Sequence, residues 1–134
     1  MMAPQGTIPR GPAFFDPELK GRWGAAKLAA ATRAPVIPVG LWGTEKVWPR
    51  SARLPNLVPS ERPKVTAVVG QPVKLKYRKP DPDTQRIMEA IMDLLPSEAR
   101  EPYEPTTEEL MRTFPPGYSG DPEAEVDRRP GTDT

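Results

Sequence analysis

A chain of 134 residues is one domain at most, and the absence of both cysteine and histidine excludes disulfides, thiol chemistry, metal sites built on those ligands and imidazole base catalysis. The formal net charge of +1 hides an asymmetry: residues 1–79 carry 14 Lys/Arg against Asp16, Glu18, Glu45 and Glu61, and residues 80–134 carry five Arg against 14 Asp/Glu. A basic front half suits an anionic partner such as a phosphate group, lipid headgroups or nucleic acid, and equally a solvated surface screened by the acidic end.

Met1–Ala3 reads as the end of a strand. Pro4 to Pro12 alternates Pro and Gly too closely for helix or central strand and reads as a stiff loop, continued by Phe14 and Phe15, two aromatics in need of a partner surface. From Leu19 to Thr32 the composition turns helical, with Ala25, Leu28, Ala29 and Thr32 on one face and small enough to lie close against a sheet. Pro35 marks its end. Val36 to Trp42 is a continuous apolar run, the pattern of a strand covered on both faces in a parallel sheet, although Pro38 fits an edge or a bulge better.

Residues 43–63 form a long loop holding Trp48, Arg50 and Arg53, and loops of that length in a compact domain are commonly functional or disordered. Val65–Val69 predicts a strand, Gly70-Gln71-Pro72 a bend, and Val73, Leu75 and Tyr77 alternate with Lys74, Lys76 and Arg78. Asp81-Pro82 predicts a helix start, with the carboxylate as cap and the proline at the first helical position. Ile87, Met88, Ile91, Met92, Leu94 and Leu95 make its core stripe, and Pro96 stops it. Thr106–Phe114 predicts one more short helix, and the Pro/Gly-rich acidic stretch 115–134 predicts disorder. The fold class is α/β. No run reaches the ~20 apolar residues that span a bilayer, so a cytoplasmic location is the default expectation, with peripheral contact at the inner face of a membrane left open.

The first loop holds the parts of an anion site. Gly6 lets a ligand approach the backbone, Thr7 offers a hydroxyl and an amide, and Arg10 offers a forked cation, with Arg22 just inside the next helix as a second charge. Turns and a solvated arginine would explain the same residues without a ligand. Neither nucleotide-loop fingerprint occurs.

A resemblance sharpens the choice. Pro4-Gln5-Gly6-Thr7-Ile8-Pro9-Arg10 is similar to the Pro-Glu-Gly-Thr-Arg-Ser-Arg block of the 1-acylglycerol-3-phosphate acyltransferase family. Residues Arg22 to Ala29 resemble the Lys-x-Gly-Ala-x-x-Leu-Ala helix that follows it, and Ala34 to Val39 resembles that family's Val-Pro-Val-Ile-Pro-Val strand. The three come in the right order and cover residues 1–95, which the resemblance makes the carboxyl-terminal part of an acyltransferase domain with a partial sheet and flanking helices. Residues 96–114 then form a short helical extension and 115–134 the tail.

The resemblance implies transfer of an acyl chain from acyl-CoA or acyl carrier protein, as co-substrate, to the hydroxyl of a lysophospholipid acceptor. It implies no other cofactor, no metal and no nucleic acid. Carried over by position, the phosphate-binding residues are Gln5, Gly6, Thr7 and Arg10, to which Arg22 adds charge, and Pro35, Val36, Ile37 and Pro38 form the wall beside them. Gln5 stands where the family has Glu, and Ile8 where it has its first Arg; loss of one bidentate arginine weakens phosphate binding by roughly 1.5–3 kcal/mol. The family's His-x-x-x-x-Asp base is absent, since a hydroxyl attacking a thioester needs a proton acceptor within hydrogen-bond reach and this sequence has no histidine. The expectation is therefore a fragment of a longer enzyme, inactive alone and marginally soluble because a cut sheet exposes an unpaired edge. The alternative is a non-catalytic module that binds anionic lipid or phosphate. Nucleic-acid binding is the weakest reading, as Trp42, Trp48 and Tyr77 are no more than a core requires.

Overall fold

A computed structural model describes residues 1–55 and 62–123. It is mixed α/β, with helices α1 (Gly24–Thr32), α2 (Pro80–Met92) and α3 (Thr107–Arg112) and strands β1 (Val39–Trp42) and β2 (Thr66–Val69). Short 3-10 turns occupy Gly11–Phe14, Thr44–Lys46 and Ser97–Arg100. The two strands form one antiparallel sheet with Val39 opposite Val69 and Leu41 opposite Ala67. Met1–Ala3 is not a strand.

The antiparallel pairing corrects the parallel sheet suggested by the unbroken apolar run. Burial along that run does alternate: Pro38 and Gly40 are buried, while Ile37, Val39 and Leu41 are exposed. The alternation is one of size rather than polarity, because the covered face meets Leu94 at close range. A Cβ on Gly40 would stand 2.9 Å from the Leu94 Cβ. Pro38 lies just before β1, where its missing N–H costs nothing and its carbonyl accepts from the Gly70 N–H at 2.9 Å. The next bond runs from the Val73 N–H to the Val36 carbonyl, so the second strand uses one residue more than the first between these pairs. Gly70-Gln71-Pro72 is thus a β-bulge.

α1 starts five residues later than the composition predicts. The Arg22 N–H is drawn to the Pro4 carbonyl at 2.8 Å, and Gly21 lies so close to α2 that a Cβ there would meet Met88 Cγ at 2.6 Å. Both contacts keep 19–22 out of the helix. The buried face is Ala26 and Ala29, packed on α2 rather than on the sheet, and Leu28 stays 52% exposed, off the predicted stripe. The helix ends at Arg33, whose left-handed φ of 56° closes an N–H bond to Ala29 and whose guanidinium carbon lies 4.6 Å from the Tyr77 ring centre.

α2 begins at Pro80, with Lys79 as N-cap and no side-chain cap, so the predicted capping role of Asp81 is not the one it plays. Asp81 instead accepts a hydrogen bond from Trp23 Nε1. Ile87 and Met88 of the predicted stripe are buried against α1, and Ile91, Met92, Leu94 and Leu95 are half-buried.

A second small core lies at the other end of the chain. α3 has a full capping box, in which Thr106 Oγ1 accepts from the Glu109 N–H and the Glu109 carboxylate accepts from the Thr106 N–H. Behind it Leu110 and Phe114 are buried, Phe114 completely. Residues 115–123 of the stretch expected to be disordered include Tyr118, whose ring stacks on Phe114 at 4.1 Å; residues 124–134 lie outside the described set.

Candidate functional site

The loop from Ala3 to Arg10 is shaped by a few short bonds. The Gly6 N–H donates to the Ala3 carbonyl at 3.1 Å, closing a turn, and Gly6 takes φ +66°, a left-handed conformation that favours glycine. The Arg22 side chain crosses directly above it. A Cβ on Gly6 would stand 3.2 Å from Arg22 Cδ, and the Arg22 N–H is held by the Pro4 carbonyl. Gly6 is therefore the residue that admits the arginine stem against the loop, and loop and pre-helix segment are laced at two points.

Among the residues singled out in the sequence, Gly6 and Arg22 are brought into contact; Gln5 and Thr7 flank the turn, half-buried. Arg10 stands at the far end of the same loop as the N-cap of the 11–14 turn, also half-buried. A further cation arrives from the long loop: Arg50 Nη1 approaches the Ile8 carbonyl at 3.5 Å. Sequence reading had placed Arg50 only in a loop long enough to be functional, and nothing in its local pattern aimed it at Ile8.

The segment Pro35 to Pro38 is held from another side. Pro38 is buried against Gly70, near Leu94, while Pro35 and Ile37 are exposed and Val36 is half-buried. Its contacts are those of the sheet and the end of α2.

The loop's exit is fixed by a residue far along the chain. The Gly11 N–H donates to Thr113 Oγ1 at 2.7 Å in a buried bond, and that hydroxyl donates in turn to the Leu110 carbonyl at 2.6 Å. The bond spans 102 residues, and no local pattern announces it.

Between residues 18–23 and the first turns of α2 lies a shallow cleft of about 240 Å³, lined by Leu19, Trp23, Asp81, Thr84 and Met88 among others. Trp23 is fixed there by Asp81 and by Lys27, whose ammonium lies 4.9 Å from its ring centre. Thr84 Oγ1 is buried with no hydrogen-bond partner, and because it reaches no solvent a ligand in the cleft does not touch it.

Among the described residues the one fully buried carboxylate belongs to scaffolding. Asp83 is 2% exposed and accepts from the successive N–H groups of Lys76 and Tyr77 at 2.9 and 2.7 Å and from Arg86 Nη1 at 2.8 Å. Burial alone would raise its pKa. The two backbone N–H groups and the Arg86 guanidinium outweigh burial and hold the carboxyl below its ordinary value. The carboxylate thereby pins Tyr77 at φ +56° and joins the end of the 73–77 segment to α2.

No family model, no curated protein and no solved structure matches the chain. The chemistry of the site therefore rests on its own residues. Among those described, no His/Cys/Asp/Glu group gathers as a metal-ligand set, and no helix is long and apolar enough to cross a membrane.

Proposed function

We propose that the chain carries the acceptor-phosphate part of a glycerolipid acyltransferase site, in which residues Gln5 to Arg10 and Arg22 hold the phosphate of a lysophospholipid such as 1-acylglycerol-3-phosphate. The observation that carries this reading is the contact of Gly6 with Arg22. The left-handed Gly6 spends its own N–H on the Ala3 carbonyl and carries the Arg22 stem across the turn, beside the amide and hydroxyl of Thr7. An amide donor and a forked cation in one place are what a phosphate monoester dianion selects. Arg10 supplies charge at the exit of the loop, and the excess of Lys/Arg over residues 1–79 draws an anionic acceptor in.

In this reading the acceptor hydroxyl attacks the thioester carbonyl of acyl-CoA or acyl carrier protein, the thiol leaves, and a base must take the hydroxyl proton. The sequence has no histidine to do so. By itself the chain therefore binds acceptor and does not transfer acyl groups, which is also how a plain phosphate-binding module behaves.

Titration calorimetry with glycerol 3-phosphate tests the reading. Binding is expected, weakened about ten- to hundred-fold in Arg22→Ala, the loss of one charge-assisted arginine contact of about 1.5–3 kcal/mol. No acyl transfer from acyl-CoA is expected with either protein. Equal affinity in Arg22→Ala would overturn the assignment, and turnover by the purified chain would overturn the missing-base argument.

A further inference from the structure

The bulge at Gly70-Gln71-Pro72 changes which side chains the sheet shows to solvent. Before it, Val65, Ala67 and Val69 lie on the exposed face, opposite Leu41 and Val39 of β1. With simple alternation Val73, Leu75 and Tyr77 would follow on that face. The extra residue shifts the register by one, so these three turn half-buried, and Lys74 and Lys76 emerge exposed on the side of Val69 before the chain bends at Tyr77. The result is one open surface with two parts. Its apolar part is Ile37, Val39, Leu41, Val65 and Val69, with Leu41 52% and Val69 67% exposed. Its basic part is Lys74 and Lys76.

Three features of this face narrow what covers it. No Asp or Glu occupies any of its positions. Among the described residues the ion pairs are Lys20–Asp16, Arg86–Asp83, Arg100–Asp93 and Arg112–Glu108, and none draws on the basic part. The apolar part is wholly aliphatic. A second copy brings the same cations and no carboxylate to meet them. A single-stranded nucleic acid would meet the cations, but it stacks its bases on aromatic rings, and this face has none. An anionic bilayer satisfies both parts at once: aliphatic side chains enter the interfacial region while the lysines meet headgroups.

We infer that the bulged β1–β2 face docks the protein on an anionic lipid surface, Leu41 and Val69 entering the headgroup region beside Lys74 and Lys76. The inference goes beyond the acceptor-site reading and does not depend on it, and vesicles free of lysophospholipid keep the two apart.

The test is sedimentation of the full chain with vesicles of phosphatidylcholine alone and of phosphatidylcholine mixed with phosphatidylglycerol. Partition into the mixed vesicles is expected, reduced about 25-fold in Lys74→Gln/Lys76→Gln, about five-fold per cation near a charged surface. Leu41→Ser/Val69→Ser is expected to reduce it about ten-fold. Lys20→Gln/Lys27→Gln removes the same charge from elsewhere and is expected to leave partition unchanged. Equal binding to neutral vesicles, or an equal loss in the Lys20/Lys27 control, overturns the inference. So does a dimer in sedimentation velocity that Leu41→Ser/Val69→Ser abolishes without any vesicle binding, since the face then joins two copies. All the substituted side chains are exposed. Should the Leu41/Val69 variant fail to fold, the comparison of the two lysine pairs still decides.

Discussion

Asp83 and Gly6 show how single residues set the geometry around them. Asp83 lies in a stretch that reads as a helix start, yet its carboxylate serves the preceding segment, collecting the N–H groups of Lys76 and Tyr77. Asp83→Ala leaves two donors unpaired and is expected to cost about 3 kcal/mol, with Asp83→Asn costing less because one acceptor oxygen survives. The carboxyl is held below its ordinary value of 3.8, so its stabilising contribution is complete above that pH and is lost as pH falls through the depressed folded value. Thermal melts in acid buffers are expected to fall more steeply for the native chain than for Asp83→Asn below about pH 4; parallel curves would remove Asp83 from the account. At Gly6 the sequence announced a turn and a ligand-ready backbone. It gave no sign that the left-handed glycine serves to admit the Arg22 stem, because that depends on 19–22 remaining outside the helix.

At the scale of elements, the strands and helices were legible where local pattern decides. The Val65–Val69 strand follows from its β-branched residues, the α2 stripe from 3.6-residue periodicity, and a short helix within 106–114 was also legible. What escaped was set by partners distant in sequence. The start of α1 depends on Pro4 and Met88, the direction of β1 on β2, and the small-residue face of β1 on Leu94. The bond from Gly11 to Thr113 belongs to the same class, joining the exit of the first loop to the end of α3. The Phe15 ring adds to that junction by lying 5.6 Å from the Tyr103 ring, whose hydroxyl donates to the capping Glu109. Thr113→Val keeps the shape and removes the acceptor, leaving a buried N–H, and is expected to destabilise by about 1–3 kcal/mol. Chemical denaturation with tryptophan fluorescence measures this, and an unchanged midpoint would show that the junction holds nothing together.

Over the whole molecule, charge and cores divide along the chain. Among the described residues the larger buried groups are Ala26, Ala29, Ile87 and Met88, where α1 meets α2, and Leu110 with Phe114 behind the first loop, with Pro38 buried apart beside Gly70. The Gln5–Arg10 loop runs between them, tied to the first through Arg22 and to the second through Gly11. The loop is held at both ends and again at Ile8 by Arg50, so it is ordered in advance and little further order would be lost on binding a small anion. The charge asymmetry and the absence of histidine were plain from composition. Where the cations converge was not plain, as Arg50 reaches Ile8 across 42 residues.

The most direct test of the central claim is an amide-resolved NMR titration of the full chain with glycerol 3-phosphate. The account predicts that the largest shifts fall on Gly6, Thr7 and the Arg22 side chain and saturate together in the millimolar range or below, and that the Gly6 and Thr7 shifts need about ten- to hundred-fold more ligand in Arg22→Ala. Saturating shifts confined to the Trp23–Asp81 cleft, or none at all around Gly6, would contradict it.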